Sequence, residues 1–289
     1  MRAVCVQWTK FGPYHIARLR AANALFGARG IEIVGLETAD ADETYGWQRH
    51  TGAESFRWLR VFPGRGHETV APRTMDSGVT ASLDQVDPAA VAITSYNLPD
   101  ARACLAWCRR RRRAAVLMTD SKADDAPRKA WREAIKRVIV SQYDAAIVAG
   151  TPHQQYLADL GFPIASIFQP VDVVDNARFS TAAAEARADP GRFGTLPGLA
   201  HGSPFFLSVN RFIPRKNVDA LIRAYGRYRL AAGVPWRLVL VGDGPEAPAL
   251  HHLVRAEGID LQAHADARRA GLGPMLARSA LIRAIPSLL

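Results

Sequence analysis

Three cations gather where an apolar run should end and a helix should begin. The segment Phe206 to Tyr225 reads FLSVNRFIPRKNVDALIRAY. A strand is expected to end at Asn210, a loop to carry Arg211, Arg215 and Lys216, and a helix to start at about Asn217. Cations beside the free N–H groups of a helix start make an anion site. A diphosphate fits it: Arg can hold an anion through two parallel bonds, and Lys acts as a point charge. The competing reading is a solvated loop with incidental charge.

A second candidate follows about one helix later. Val239-Leu240-Val241 runs into Gly242-Asp243-Gly244-Pro245, with a helix expected from near Pro245. Gly242 and Gly244 allow a ligand or another backbone to come close. The third glycine of the dinucleotide fingerprint is missing, and so is the P-loop pattern, so neither a nicotinamide cofactor nor a P-loop nucleotide site is expected.

The elements that position these residues alternate between strand and helix. Strands are expected at Ala3–Trp8, Ile31–Leu36, Ala90–Ser95, Ala114–Thr119 and Asp144–Ala149. Helices are expected at Pro13–Ala28, Pro99–Arg112, Arg128–Gln142 and Pro152–Leu160. Near-continuous apolar strands belong to a parallel sheet buried on both faces. Residues 38 to 80 read as irregular, with one strand at Arg57–Phe62. A new alternation begins at Phe205 and loses its period after Gly258; Ala280–Leu289 could add a strand interrupted by Pro286. The expected fold class is α/β, with two Rossmann-like doubly wound domains. The first spans residues 1–170, a linker spans 171–204, and a second, incomplete domain spans 205–289. Such domains bind ligands at the carboxyl ends of their strands.

Together, the two cation- and glycine-bearing segments resemble the donor-binding half of family 4 retaining glycosyltransferases, the group 1 transferases. The resemblance covers residues 1 to about 257 and implies the two-domain GT-B fold. It implies that Arg211 and Lys216 hold a donor diphosphate, and that Asn210, Gly242, Asp243, Gly244 and Pro245 border the nucleotide. It places Gly12, in Thr9–His15, in a loop over the phosphates, and Asp120 where many members carry a His that bonds the donor sugar. His153, at a helix start, is either a substrate contact or a surface residue.

The implied activity is transfer of a hexose from a nucleoside diphosphate sugar to an acceptor hydroxyl, with retention. No metal is expected, because fixed cations take its place. The acceptor is left open as a glycan, a lipid or a small molecule. One departure stands out. Members carry a pair of Glu eight residues apart, and this chain has none. A truncated, inactive remnant that binds nucleotide sugar is therefore the alternative, and a well-folded first domain with a marginal second one is expected.

Composition narrows the rivals. The formal charge is +10, but 32 of the 37 basic residues are Arg in an Ala-rich chain, which points to biased coding composition rather than a nucleic-acid surface. The run Arg109-Arg110-Arg111-Arg112-Arg113 is read first as a solvated helix C-terminus and second as a peripheral membrane contact. Asp40-Ala41-Asp42 offers an Asp-x-Asp for a metal-dependent transferase, but in an acidic loop. Cys5, Cys104 and Cys108 read as core residues. Met1–Val6 is too short for a signal peptide, so a cytoplasmic protein is expected.

Overall fold

The computed structural model of the protein describes residues 2–41, 52–189, 203–264 and 280–285. The chain divides into two compact units, Met1–Arg178 and Phe179–Leu289.

Unit 1 is built on strands β1 (Arg2–Trp8), β2 (Ile31–Ala41), β3 (Arg57–Gly66), β4 (Ala90–Thr94), β5 (Ala114–Thr119), β6 (Ala145–Val148) and β7 (Ile167–Phe168). They form one sheet in the order β3-β2-β1-β4-β5-β6-β7, parallel at every pairing. Helices α1 (Pro13–Gly27), α2 (Pro72–Val86), α3 (Pro99–Arg111), α4 (Ala130–Val140) and α5 (Thr151–Asp159) connect them. Pro at the first turn of α1, α2, α3 and α5 starts each helix where its missing N–H costs nothing.

The apolar strands are covered on both faces. One core joins Cys5, Val91, Ile93 and Leu117 to α2 and α3 through Val79, Leu83, Cys104 and Trp107. The other places Trp8, Ile33 and Met118 against Ile16 and Leu19 of α1. All three cysteines are buried and unbridged, and burial pushes each thiol pKa up.

The described residues of the 38–80 stretch are more regular than the sequence suggests. β2 runs on to Ala41, β3 extends to Gly66, and α2 begins at Pro72. Helix α2 is masked in the sequence by Ser77, Gly78 and Thr80. It buries only the narrow stripe Met75, Val79 and Leu83. Gly78 is required by packing, since a Cβ there would lie 2.4 Å from the Phe62 ring. Asp40 is also not in a loop. It is a buried residue of β2, and its Oδ1 accepts the Gly64 N–H at 2.6 Å. Its Asp-x-Asp companion Asp42 lies outside the described residues.

Four of the five arginines from 109 to 113 have partners within unit 1. Arg109 bonds Asp144, Arg110 bonds Thr80, Arg111 bonds Asp84 and Arg113 bonds Asp87. Arg112 ends α3 in the left-handed conformation. The run is a helix C-terminus tied to neighbouring carboxylates, so its charge is largely answered from within.

Unit 2 contains β8 (Phe205–Val209), α7 (Val218–Ala231), β9 (Arg237–Gly242), α8 (Ala247–Ala256), β10 (Asp260–His264) and β11 (Ala280–Ile285). The preceding helix α6 (Asn176–Ala188) falls in the stretch expected as linker; residues 190–202 of that stretch are outside the described residues. The sheet order is β10-β11-β9-β8. β8 and β9 are parallel, while β11 is antiparallel to both β9 and β10. β8, β9 and β10 therefore run one way, with α7 and α8 as crossovers and β11 inserted between β9 and β10. The core of this unit joins Phe212, Val218, Ile222, Leu238, Leu240, Leu250 and Val254. β11 ends before Pro286, which cannot donate to a ladder.

Candidate functional site

In unit 2 the two candidate segments meet. Because β8 and β9 are parallel neighbours, with Val209 opposite Val241, their loops leave the same end of the sheet. Backbone hydrogen bonds join them: Asn210 N–H donates to Val241 O at 3.0 Å, Phe212 N–H to Asp243 O at 2.8 Å, and Glu246 N–H to Phe212 O at 3.1 Å. Phe212, only 1% exposed, anchors the first loop in the core between Arg211 and Arg215.

Both glycines are required by this contact. A Cβ on Gly242 would lie 1.8 Å from Asn210 O, and one on Gly244 would lie 2.4 Å from Phe212 O. Gly244 also has φ +154°, which side-chain-bearing residues rarely adopt. The Asp243 carboxylate accepts the Gly244 N–H at 2.7 Å, and Asn210 Nδ2 donates to Ser208 Oγ at 2.7 Å.

The cations sit just beyond. Arg211 is half-buried; Arg215 and Lys216 are exposed. Pro214–Lys216 forms one 3₁₀ turn, and Asn217 turns left-handed at φ 51° before α7 begins. Asn tolerates that conformation better than most residues. The chain therefore presents Arg215 and Lys216 immediately before a helix N-terminus, with α8 starting directly after the second loop. That arrangement can hold an anion through side-chain charge and free N–H groups.

In unit 1 the sheet order places β1 between β2 and β4, so connections leave β1 and β4 in opposite directions. A crevice at the carboxyl ends follows from that topology. A cavity of about 250 Å³ lies there, lined by Trp8, His15, Arg18, Ser95, Asp120 and Asp172, among others. Asp120, which follows β5, is an exposed lining residue. Ser95, which follows β4, is held at φ 69°. Non-glycine residues in that region cluster at functional sites. Arg18 pairs with Asp172 at 3.3 Å and donates to Val173 O at 2.9 Å.

Gly12 does not line the cavity. It is the N-cap of α1, and its N–H donates to His15 Nδ1 at 2.9 Å. The imidazole also packs on the Trp8 ring, with centroids 4.7 Å apart. Burial, helped by the charge of Arg18, lowers the His15 pKa to about 4. The ring is therefore neutral at pH 7, the form whose Nδ1 can accept the Gly12 N–H.

Two buried carboxylates fix the Thr9–Gly12 loop from below. Asp100, fully buried, accepts from Gln7 Nε2 at 2.8 Å, Thr9 Oγ1 at 3.1 Å and Thr38 Oγ1 at 2.9 Å. Burial raises its pKa, but the His67 imidazole 3.4 Å away and the hydrogen bond from Thr38 outweigh this and hold it below the usual carboxylate value. Glu37 accepts from Phe11 N–H at 2.8 Å, Trp58 Nε1 at 3.1 Å and Arg60 Nε at 3.1 Å. Burial dominates there and raises its pKa. Sequence reasoning missed His15, Glu37 and Asp100. Their local context is ordinary, and apart from the Ala101 N–H that bonds Asp100, the hydrogen-bond partners of the two carboxylates lie 21 to 93 residues away. His153 opens α5 and does not line the cavity.

The architecture is α/β of the GT-B type, and comparison with known proteins agrees. A family model described as Glycosyl transferases group 1 matches residues 197–265, which hold both loops of unit 2. No curated protein matches the sequence. Sucrose-phosphate synthase from Thermosynechococcus elongatus superposes with a TM-score of 0.59 at 16% identity, covering 89% of this chain and 68% of that one. UDP-GlcNAc 2-epimerase from Neisseria meningitidis, solved bound to UDP-GlcNAc, gives 0.53 at 12% identity, covering 89% and 69%. An Anabaena protein in complex with UDP gives 0.51 at 14%, covering 89% and 66%. The chain thus spans about two thirds of the length of these structures, and at such identities the likeness is one of fold.

Proposed function

We propose that the protein is a glycosyltransferase that takes a hexose from a nucleoside diphosphate sugar and passes it to an acceptor hydroxyl with retention at the anomeric carbon. The observation that carries this reading is the junction of Asn210–Phe212 with Gly242–Pro245 at one sheet end, with Arg211, Arg215 and Lys216 on the same loop system. The group 1 match over these residues supports glycosyl transfer, and the UDP and UDP-GlcNAc bound by fold relatives support a uridine nucleotide as the first to try.

Arg211 and Lys216 stabilise the charge that develops on the leaving diphosphate. Gly242, Asp243, Gly244 and Pro245 border the nucleotide, with Asn210 on the facing loop. The N-terminal domain, residues 1–170, takes the acceptor side, and its Asp120 offers a carboxylate to a hydroxyl of the donor sugar. The Gly12 loop is held rigid for this by His15, Glu37 and Asp100. With fixed cations in that role, the reaction needs no metal.

One observation favours a second reading. The absence of any two Glu eight residues apart leaves the expected contacts to the donor sugar unfilled, which suits a chain that binds nucleotide sugar without transferring it. Release of nucleoside diphosphate from a panel of donors, with and without an acceptor mixture and manganese, separates the two. Transfer that is metal-independent, keeps the anomeric configuration by NMR and is lost in Arg211→Ala supports the enzyme. Donor binding without turnover supports the remnant, and strict manganese dependence contradicts the fixed-cation mechanism.

A further inference from the structure

Helix α4 carries its apolar stripe outward. Trp131, Ile135 and Val138 recur at helical spacing and are 59%, 52% and 65% exposed. The opposite face of α4 is the one that packs. Val140 is fully buried, and Glu133 and Lys136 bond each other and Tyr156. An ordinary surface helix has the reverse polarity. Exposed arginines flank the stripe, Arg132 on one side and Arg137 on the other, and the Arg132 guanidinium lies 5.1 Å from the Trp131 ring centre.

A cleft of about 510 Å³ adjoins this face. Tyr96, Trp131 and Ile135 form its apolar part, and Arg102, Arg132 and Lys136 its charged part; none of its lining residues is acidic. This surface differs from the Arg109–Arg113 run, three of whose five cations are matched by Asp84, Asp87 and Asp144.

We propose that the outer face of α4 docks unit 1 on an anionic lipid surface. Trp131, Ile135 and Val138 enter the boundary between headgroups and acyl chains, and Arg102, Arg132 and Arg137 meet lipid phosphates. An apolar stripe edged by arginines is the arrangement that holds a helix in the interfacial plane. Charge decides against a second copy of the chain as occupant. Self-docking would bring like arginines together on a protein already at +10.

The test is co-sedimentation of the full chain with phosphatidylglycerol-containing vesicles and with phosphatidylcholine vesicles, at low and high salt. The chain should bind the anionic vesicles, release with salt, and show fluorescence quenching by brominated acyl chains that Trp131→Phe reduces. Val138→Glu, at a site too exposed to disturb folding, should abolish binding at an unchanged melting temperature. Arg132→Ala should weaken it about fivefold. Failure to bind anionic vesicles overturns the proposal, as does binding that Val138→Glu leaves intact. Two further results also overturn it: binding that maps to Arg109–Arg113 instead, and a wild-type dimer that Val138→Glu dissociates.

Discussion

The loops of unit 1 and unit 2 occupy equivalent places, at the carboxyl ends of parallel strands, yet they are held by different means. In unit 1 the Thr9–Gly12 loop hangs on buried side chains: Asp100, Glu37 and the neutral ring of His15. In unit 2 the loops meet backbone to backbone, through Asn210, Phe212, Val241 and Asp243, and two glycines make the approach possible. The strands beneath also differ. Val91 and Ile93 of β4 are fully buried between β1 and β5, whereas Phe205, Leu207 and Val209 of the edge strand β8 are 39%, 57% and 61% exposed. One site is sensitive to losing a carboxylate, the other to gaining a methyl group.

Removal of the Asp100 carboxylate should have the largest effect. Asp100→Ala leaves Gln7, Thr9 and Thr38 without their acceptor in the core and should cost about 3 kcal/mol. Urea unfolding read by far-UV circular dichroism measures this; a loss under about 1 kcal/mol would mean the loop does not depend on the carboxylate.

Gly242→Ala should cost about 2 kcal/mol, because the methyl group meets the backbone oxygen of Asn210 and not a flexible side chain. Gly233→Ala, with nothing within 4 Å of the new Cβ, is the control and should be close to neutral. Equal effects at both positions would break the contrast between the two loop systems.

His15 gives unit 1 a pH dependence. Its folded pKa of about 4 lies below the ordinary value of 6.5, so the unfolded chain takes up the proton first. The stability it contributes is complete above about pH 6.5 and is lost as pH falls toward 4. Between pH 7 and 5.5 the loss should be about 1 kcal/mol, and His15→Gln should flatten it. A titration of the His15 ring protons by NMR with a midpoint near 6.5 would contradict this.

The smallest expected effect is at the exposed strand. Leu207→Thr should change stability by less than about 0.5 kcal/mol. A large loss on melting would mean that β8 is covered in solution.

Much of this was legible in the sequence, for local reasons. The apolar runs at Ala90–Thr94 and Ala114–Thr119, and the proline-led helix α3 between them, carry their own signals. The Asn210–Lys216 and Gly242–Pro245 loops are short, charged or glycine-bearing, and follow apolar strands. Residues whose roles depend on distant partners were not legible. Asp100 looks like an acid in a helix first turn until β1 and β2 bring Gln7 and Thr38 to it. Helix α2 was hidden because Met75, Val79 and Leu83 are too few to outweigh Gly78 and its hydroxyl neighbours. β10 was hidden because its partner β11 comes 15 residues after it, so no local period announces the pair.

The central claim is that the Arg211 and Lys216 loop of unit 2 holds the diphosphate of a nucleotide. A thermal melt of the full chain with UDP, other nucleoside diphosphates and their sugars tests it most directly, since a ligand of the native state raises Tm by mass action. The account predicts a rise with one nucleoside diphosphate, UDP being the first candidate, that disappears in Arg211→Ala and in Lys216→Ala at unchanged ligand-free Tm. A cooperative melt that no nucleoside diphosphate shifts, or a shift that both variants retain, would contradict it.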